Sequence, residues 1–176
     1  VWQNGDAVVW GMWRQMQCAW FAPTAGTEAG EPVAAKVTLP SARHVYDLRA
    51  RKYLGKVTEV NARLRWGRAS FFLALPYRIG GVDVKLSSKT PKPGQILTAD
   101  LHLRIPSPSR ERHAVYVEVL DPRGQPAEWS GKAVILHGAT GRVQIPIAYN
   151  DSRGTWRLRA TELFSNQTGE ATWSVR

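Results

Sequence analysis

The stretch from Val37 to Tyr77, VTLPSARHVYDLRARKYLGKVTEVNARLRWGRASFFLALPY, decides the fold class that the sequence predicts. Apolar and polar residues alternate along it, a turn interrupts the alternation, and the alternation then resumes until Pro76. This pattern is typical of short antiparallel strands that each turn one face toward a core. Pro40-Ser41 predicts a break after the strand from Val33 to Leu39. Near its end, residues 69–75 (ASFFLAL) are apolar on both faces, which predicts a central strand of the sheet.

The same rhythm of strands and turns continues on both sides of this stretch, without a convincing amphipathic helix. Gly80-Gly81 marks a boundary, because longer strands and longer turns follow it, such as the alternation from Leu97 to Ile105. We therefore predict an all-β chain of two antiparallel β-sandwich modules, residues 1–79 and residues 80–176. The spacing of strands and turns indicates a sandwich rather than βαβ units.

The composition is that of a globular protein, with 43% hydrophobic residues. The single cysteine, Cys18, cannot form an internal disulfide, so packing must supply the stability, and the redox compartment stays open. No run approaches the roughly 18 apolar residues of a membrane span. The chain begins in the middle of a strand pattern, which we interpret as a fragment of a longer polypeptide.

Two sets of segments resemble accessory modules of known proteins. The first set resembles a run, hVYDl…gkYLG…llaLPY, of C-terminal β-sandwich modules in large bacterial proteins with beta-galactosidase-like glycoside hydrolase domains. The second set resembles an immunoglobulin-like module that often follows the first. The segments are HVYDL (44–48), KYLG (52–55) and FFLALPY (71–77) in the first set, and VLDPRG (119–124), AYND (148–151) and GTW (154–156) in the second.

This resemblance covers residues 37–176 and supplies no catalytic residue. It implies a non-catalytic accessory region of a larger, exported bacterial protein, with the other domains of that polypeptide as partners. One departure is at the hairpin tip, where Ala50-Arg51 stands in place of the usual Thr-Gly. A non-glycine residue at positive φ costs about 1 kcal/mol, so we expect a longer turn or another turn type.

The residues that could carry catalysis or bind a metal are few and scattered. His102 and His113 flank one turn, but in a regular hairpin the alternation would place them on opposite faces, so we expect no metal site and no cofactor. Between Val33 and Ile79 the acidic residues are Asp47, which we interpret as a turn cap, and Glu59, at a solvent-facing position. Phosphate-binding and hydrolase motifs are absent, and we do not expect an enzyme.

Carbohydrate binding is the first alternative, because flat sugar faces stack on exposed aromatic side chains. The candidates are Trp66, Trp129 and Trp156. The strand alternation points Trp66 and Trp156 inward, whereas Trp129 lies in a loop-like segment, AEWSG. Trp129 is therefore the residue we expect at a polysaccharide site.

Polyanion binding is the second alternative, because the net charge is +10, from 24 Lys and Arg against 14 Asp and Glu. The basic residues are concentrated between Arg43 and Arg68, but exposed aromatic residues do not alternate with them as in a single-strand binder. We therefore do not expect nucleic acid as a partner, and predict that these residues mostly line strand edges. The candidates are Arg49, Arg51, Lys52, Arg63 and Arg65.

Overall fold

The computed structural model describes residues 3–4, 7–10, 17–23, 32–64, 70–106 and 112–176. Trp66 and Arg65 lie outside these residues. The chain divides into two compact units, Val1–Arg78 and Ile79–Arg176, and the predicted boundary lies one residue further along. The described residues contain strands and turns and no helix, so none of them forms a helix that could cross a membrane. The predicted class, an all-β chain of antiparallel sheets, is confirmed.

The described part of the first unit is a six-stranded antiparallel sheet in the order β1-β2-β3-β6-β4-β5. β6 lies between β3 and β4, which confirms the central position that its apolar sequence predicts. β5 forms one edge of the sheet. The strands are β1 (Gln3–Asn4), β2 (Ala7–Trp10), β3 (Gln17–Pro23), β4 (Val33–Asp47), β5 (Lys52–Leu64) and β6 (Ser70–Leu75).

The longest strand of this sheet, β4, contains a bulge where the sequence predicts a break. Its register with β5 shifts between Thr38 and Arg43, and Pro40 lies within the shifted segment. A proline has no N–H to donate, so an unpaired segment is where a strand tolerates it. Buried apolar residues of β4, β5 and β6 form a core cluster of the described part of this unit: Ala35, Val45, Val60, Ala62, Leu64, Phe72 and Ala74.

The turn between β4 and β5 adopts the conformation that its sequence disfavours. Arg51 has a φ of 51°, at the hairpin tip where the resembling proteins carry Thr-Gly. The carboxylate of Asp47 accepts hydrogen bonds from the backbone N–H groups of Arg49 (3.0 Å) and Ala50 (2.9 Å). Arg51 therefore takes the left-handed conformation, and Asp47 caps the turn as its sequence position predicts.

The second unit contains seven strands in the order β13-β12-β9-β10-β11-β8-β7. One residue pair alone joins β10 to β11, so we interpret the strands on either side of it, β7-β8-β11 and β13-β12-β9-β10, as the two layers of a sandwich. The two layers are joined by the β10–β11 hairpin, where the paired residues are His137 and Thr140. The strands are β7 (Val82–Leu86), β8 (Ile96–Leu103), β9 (Arg112–Leu120), β10 (Lys132–His137), β11 (Thr140–Pro146), β12 (Gly154–Glu162) and β13 (Thr168–Val175).

This arrangement is immunoglobulin-like, as predicted. It differs from the constant-type arrangement because the fourth strand pairs along its whole length with the third strand and at one residue pair only with the fifth. The expected β8–β9 hairpin is wrong, since β8 pairs with β7 and β11, and the chain after β8 passes to the other layer. Both layers contribute alternate apolar residues to one core, among them Leu101, Val117, Ile145, Leu158 and Trp173.

Candidate functional site

Trp129 lies in the loop between β9 and β10, which hydrogen bonds hold in place. The Asp121 carboxylate accepts the N–H groups of Arg123 and Gln125, both at 2.8 Å, at the start of the loop. At its end, the Ser130 hydroxyl accepts the N–H of Val119 (3.1 Å) and donates to the carbonyl of Ala127 (2.8 Å). The side chain of Trp129 is 52% exposed on this fixed loop.

Beside Trp129 a cleft of about 250 Å³ opens between the two layers of the second unit. It forms where β10 and β11 diverge from their hairpin, since these strands are paired at His137 and Thr140 only. Its floor is apolar, and Trp129, Lys132 and Gln144 bring an indole, an ammonium and an amide to its rim. The residues that line it are Val117, Val119, Trp129, Ser130, Gly131, Lys132, Val143, Gln144, Ile145 and Pro146.

The other two predicted tryptophans do not join this site. Trp156 is 6% exposed, its ring stacks on Trp173 with centroids 6.3 Å apart, and its indole N–H donates to the carbonyl of Ser152 at 2.9 Å. It therefore belongs to the core, as the strand alternation predicts, and offers no face to a sugar. Trp66 lies outside the described residues, so its candidacy stays a prediction.

The predicted polyanion-binding residues do not form one patch. Arg49, Arg51 and Lys52 are exposed at the tip of the β4–β5 hairpin, whereas Arg63 is exposed near the opposite end of β5. At about 3.3 Å per strand residue, more than roughly 30 Å separates Lys52 from Arg63. Arg65 lies outside the described residues. Lys52 and Arg63 do lie on an edge strand, which is where we predicted most of the basic residues.

The acidic residues of the described part serve turns and ion pairs. Asp100 accepts a hydrogen bond from Arg142 at 2.7 Å, and Glu118 and Glu170 both contact Arg159 across three neighbouring strands. Hydrogen bonding to Glu170 raises the pKa of the Arg159 guanidinium above its ordinary value. Glu128 is the described carboxylate that has no such contact. The others are Asp47, Glu59, Asp83, Asp121, Asp151 and Glu162.

A buried His–Glu pair is a feature that the sequence reasoning missed. His113 and Glu162 are both 0% exposed, with His113 Nδ1 at 3.3 Å from Glu162 Oε1. The other carboxylate oxygen of Glu162 accepts hydrogen bonds from the Ser165 hydroxyl (2.6 Å) and from two backbone N–H groups. His102 lies on the other layer and is exposed. The two histidines that flank the turn therefore differ in burial. Among the described residues, no three potential metal ligands form a group.

A second histidine, His44, lies in a polar cluster of the first unit. Its Nδ1 is 2.6 Å from the hydroxyl of Tyr53, and the two rings are stacked with centroids 5.9 Å apart. Burial lowers the pKa of the His44 imidazole below its ordinary value, and the Lys56 and Arg78 cations lower it further. Sequence inspection could not find this cluster, because the strand register brings its members together.

The comparisons with known proteins provide only distant similarities. No protein-family model matches the chain, and no curated protein matches it. The chicken interferon gamma receptor alpha chain shares 11% identity at a TM-score of 0.34, over 90% of this chain and 93% of the receptor chain.

Two glycoside hydrolases from Bacteroides species are similar at the same low level. A glycosyl hydrolase family 2 member from Bacteroides cellulosilyticus shares 9% identity (TM-score 0.32), over 89% of this chain and 28% of its own length. Bacteroides uniformis beta-glucuronidase 2 shares 8% identity (TM-score 0.31), over 88% of this chain and 26% of its own length. Similarities at TM-scores this low establish no function, and we derive none from them.

Proposed function

We propose that this chain is a non-catalytic accessory region of a larger, exported bacterial protein with a glycosidase-like domain. Its partners are the other domains of that polypeptide, against which it packs or which it spaces apart. The proposal is supported by the resemblance of residues 37–176 to accessory modules, on the segments quoted above.

One structural observation carries the non-catalytic part of the proposal. Glycoside hydrolysis uses two carboxyl groups that converge on one bond. The carboxylates of the described residues, Glu128 excepted, are held by backbone N–H groups, by cations or by His113. Such contacts are typical of structural carboxylates, and they favour the non-catalytic interpretation.

Assays of the purified chain against chromogenic glycosides test this proposal. We expect no turnover above a buffer control, for the wild type and for Glu128→Gln alike. Hydrolysis that is abolished by Glu128→Gln, or by substitution of any other single carboxylate, would overturn it.

Carbohydrate binding at the Trp129 cleft is the second candidate function. It is favoured by one observation: a half-exposed indole at the rim of an apolar cleft, with the Gln144 amide and the Lys132 ammonium beside it. An aromatic surface with a few polar donors is the usual composition of a small-ligand site. The indole would stack on a sugar ring, and the amide and ammonium would donate to its hydroxyl oxygens.

Binding to a panel of neutral polysaccharides and heparin, at low and high salt, tests this second function. Salt-resistant binding to a neutral glycan, weakened about tenfold or more by Trp129→Ala, would support carbohydrate binding. Stacking of a sugar ring on an indole involves no ion pair, so salt does not weaken it. Tyr149→Ala removes another exposed aromatic ring, one that does not line the cleft, and is the matched control. Binding to heparin alone, lost at high salt, would indicate the polyanion alternative instead.

A further inference from the structure

The β4–β5 register gathers basic groups around His44 that are distant in the sequence. His44 is the direct cross-strand partner of Lys56, so their side chains leave the same face of the hairpin, with Cβ atoms about 5 Å apart. Tyr53, on the same strand as Lys56, contacts His44 through its hydroxyl at 2.6 Å. The guanidinium of Arg78 lies over the Tyr53 ring, 5.0 Å from its centroid.

The charges of this cluster are not neutralised by the described acidic residues. Lys56 and Arg78 are exposed and form no ion pair with them. The two acids of the same hairpin are already in use: Asp47 caps the turn, and Glu59 pairs with Lys36 at 2.8 Å. Two cations beside a histidine therefore share one surface without a counter-charge from the described chain.

We propose that His44, Lys56 and Arg78 form a binding site for a tetrahedral oxyanion, such as a sulfate group. Lys56 supplies an ammonium donor and Arg78 a planar fork of N–H donors, which together match the oxygens of such a group. Tyr53 positions His44 and Arg78. Its hydroxyl is hydrogen-bonded to His44, and the Arg78 guanidinium lies over the face of its ring. The group is either a free ion or an ester on a glycan, and both present the same oxygens.

The state of His44 couples this site to pH. The groups that act on the imidazole are Tyr53 and Lys56 from β5 and Arg78 from the segment after β6, while its β6 partner, Leu75, is apolar. Burial lowers the pKa of His44, and the two cations lower it further. A bound dianion opposes their field and therefore raises that pKa, so binding takes up protons and strengthens as the pH falls.

Nuclear magnetic resonance of the His44 ring in the whole chain, titrated with sodium sulfate, tests the site. Sodium chloride holds the ionic strength constant, so that screening does not change. We expect a saturable shift of the ring signals, a rise in the pKa of His44 on saturation, and tighter sulfate binding at pH 6 than at pH 8.

Charge variants assign this effect to the site. Lys56→Gln and Arg78→Gln should each weaken sulfate binding about three- to fivefold, near the upper end for an ion pair at an exposed position. Lys56→Arg keeps the charge and should keep the binding. Lys85→Gln removes an exposed cation from β7 of the second unit and should change nothing. The absence of a saturable shift, or equal weakening by Lys85→Gln, would overturn the proposal.

A sulfated oligosaccharide then distinguishes the two sources of the oxyanion. Binding that is at least about tenfold tighter than that of inorganic sulfate, and still weakened by Lys56→Gln, would assign the site to a sulfate ester. Equal affinity per sulfate group would assign it to the free ion. Oligosaccharide binding that is indifferent to Lys56 and Arg78 would contradict the site.

Discussion

At the scale of single residues, Glu162 is a buried carboxylate that several groups contact. Glu162 contacts the His113 imidazole with one oxygen and accepts the Ser165 hydroxyl and two backbone N–H groups with the other. In a buried region, an unpaired donor costs far more free energy than an exposed one. Glu162 therefore holds the turn between β12 and β13 against the start of β9.

Glu162→Ala should lower the free energy of unfolding by about 3 kcal/mol, because it leaves these buried donors without an acceptor. Glu162→Gln retains one carbonyl oxygen and should lose less. Urea unfolding of the variants measures both losses. Glu170→Ala, which removes an exposed partner of Arg159, should cost less than about 1 kcal/mol, and an equal loss would contradict the importance of burial.

His44 should make the stability of the first unit depend on pH. Its pKa is lowered in the folded protein, so on acidification the unfolded chain takes up a proton first, near its ordinary value of about 6.5. The stabilisation by neutral His44 is present above that pH and is lost as the pH falls through the lowered folded value. Thermal unfolding from pH 8 to pH 5 should show this loss, and His44→Gln should reduce the slope. An unchanged slope in His44→Gln would contradict it.

At the scale of secondary-structure elements, the close approach of β13 to β7 depends on a glycine. A β-carbon at Gly169 would overlap the backbone carbonyl of Val82. A backbone atom cannot move aside as a side-chain end can, so the strands would have to separate. The Ser174 N–H also donates to the carbonyl of Lys89 across this edge, at 2.9 Å.

We expect Gly169→Ala to destabilise the second unit by about 2–3 kcal/mol through this overlap. Gly124→Ala is the comparison, because nothing lies within 4 Å of a β-carbon there and its φ of +79° alone is unfavourable. That strain costs about 1 kcal/mol. Chemical denaturation compares the two variants, and a smaller loss for Gly169→Ala than for Gly124→Ala would contradict the close approach.

Elements were predictable where a local pattern defined them. The apolar run at residues 70–75 predicted β6, and the alternation of apolar and polar residues predicted β8. Successive side chains of a strand point to opposite faces, so the sequence pattern alone shows whether one face or both faces are buried. The predictions of a strand break at Pro40 and of a β8–β9 hairpin were wrong. Whether a proline ends a strand or lies in a bulge, and which strand is the next partner, depends on pairings with distant residues.

At the scale of the whole molecule, each unit has a core made of its own residues. Most of the buried side chains of the second unit come from its seven strands, among them Leu103, Val115, Leu136 and Leu158. A fragment of residues 79–176 should therefore fold alone and unfold cooperatively. Circular dichroism during urea unfolding checks this. A broad, non-cooperative transition would contradict it.

The sequence by itself determined that the chain is all-β, that a turn cap stands at Asp47, and that Trp156 points inward. These properties follow from alternation and turn chemistry, which act over a few residues. Only the tertiary structure decided the cleft beside Trp129, the buried His113–Glu162 pair and the basic cluster at His44. Each joins residues from separate strands, and the strand order and register that bring them together depend on packing across the whole unit.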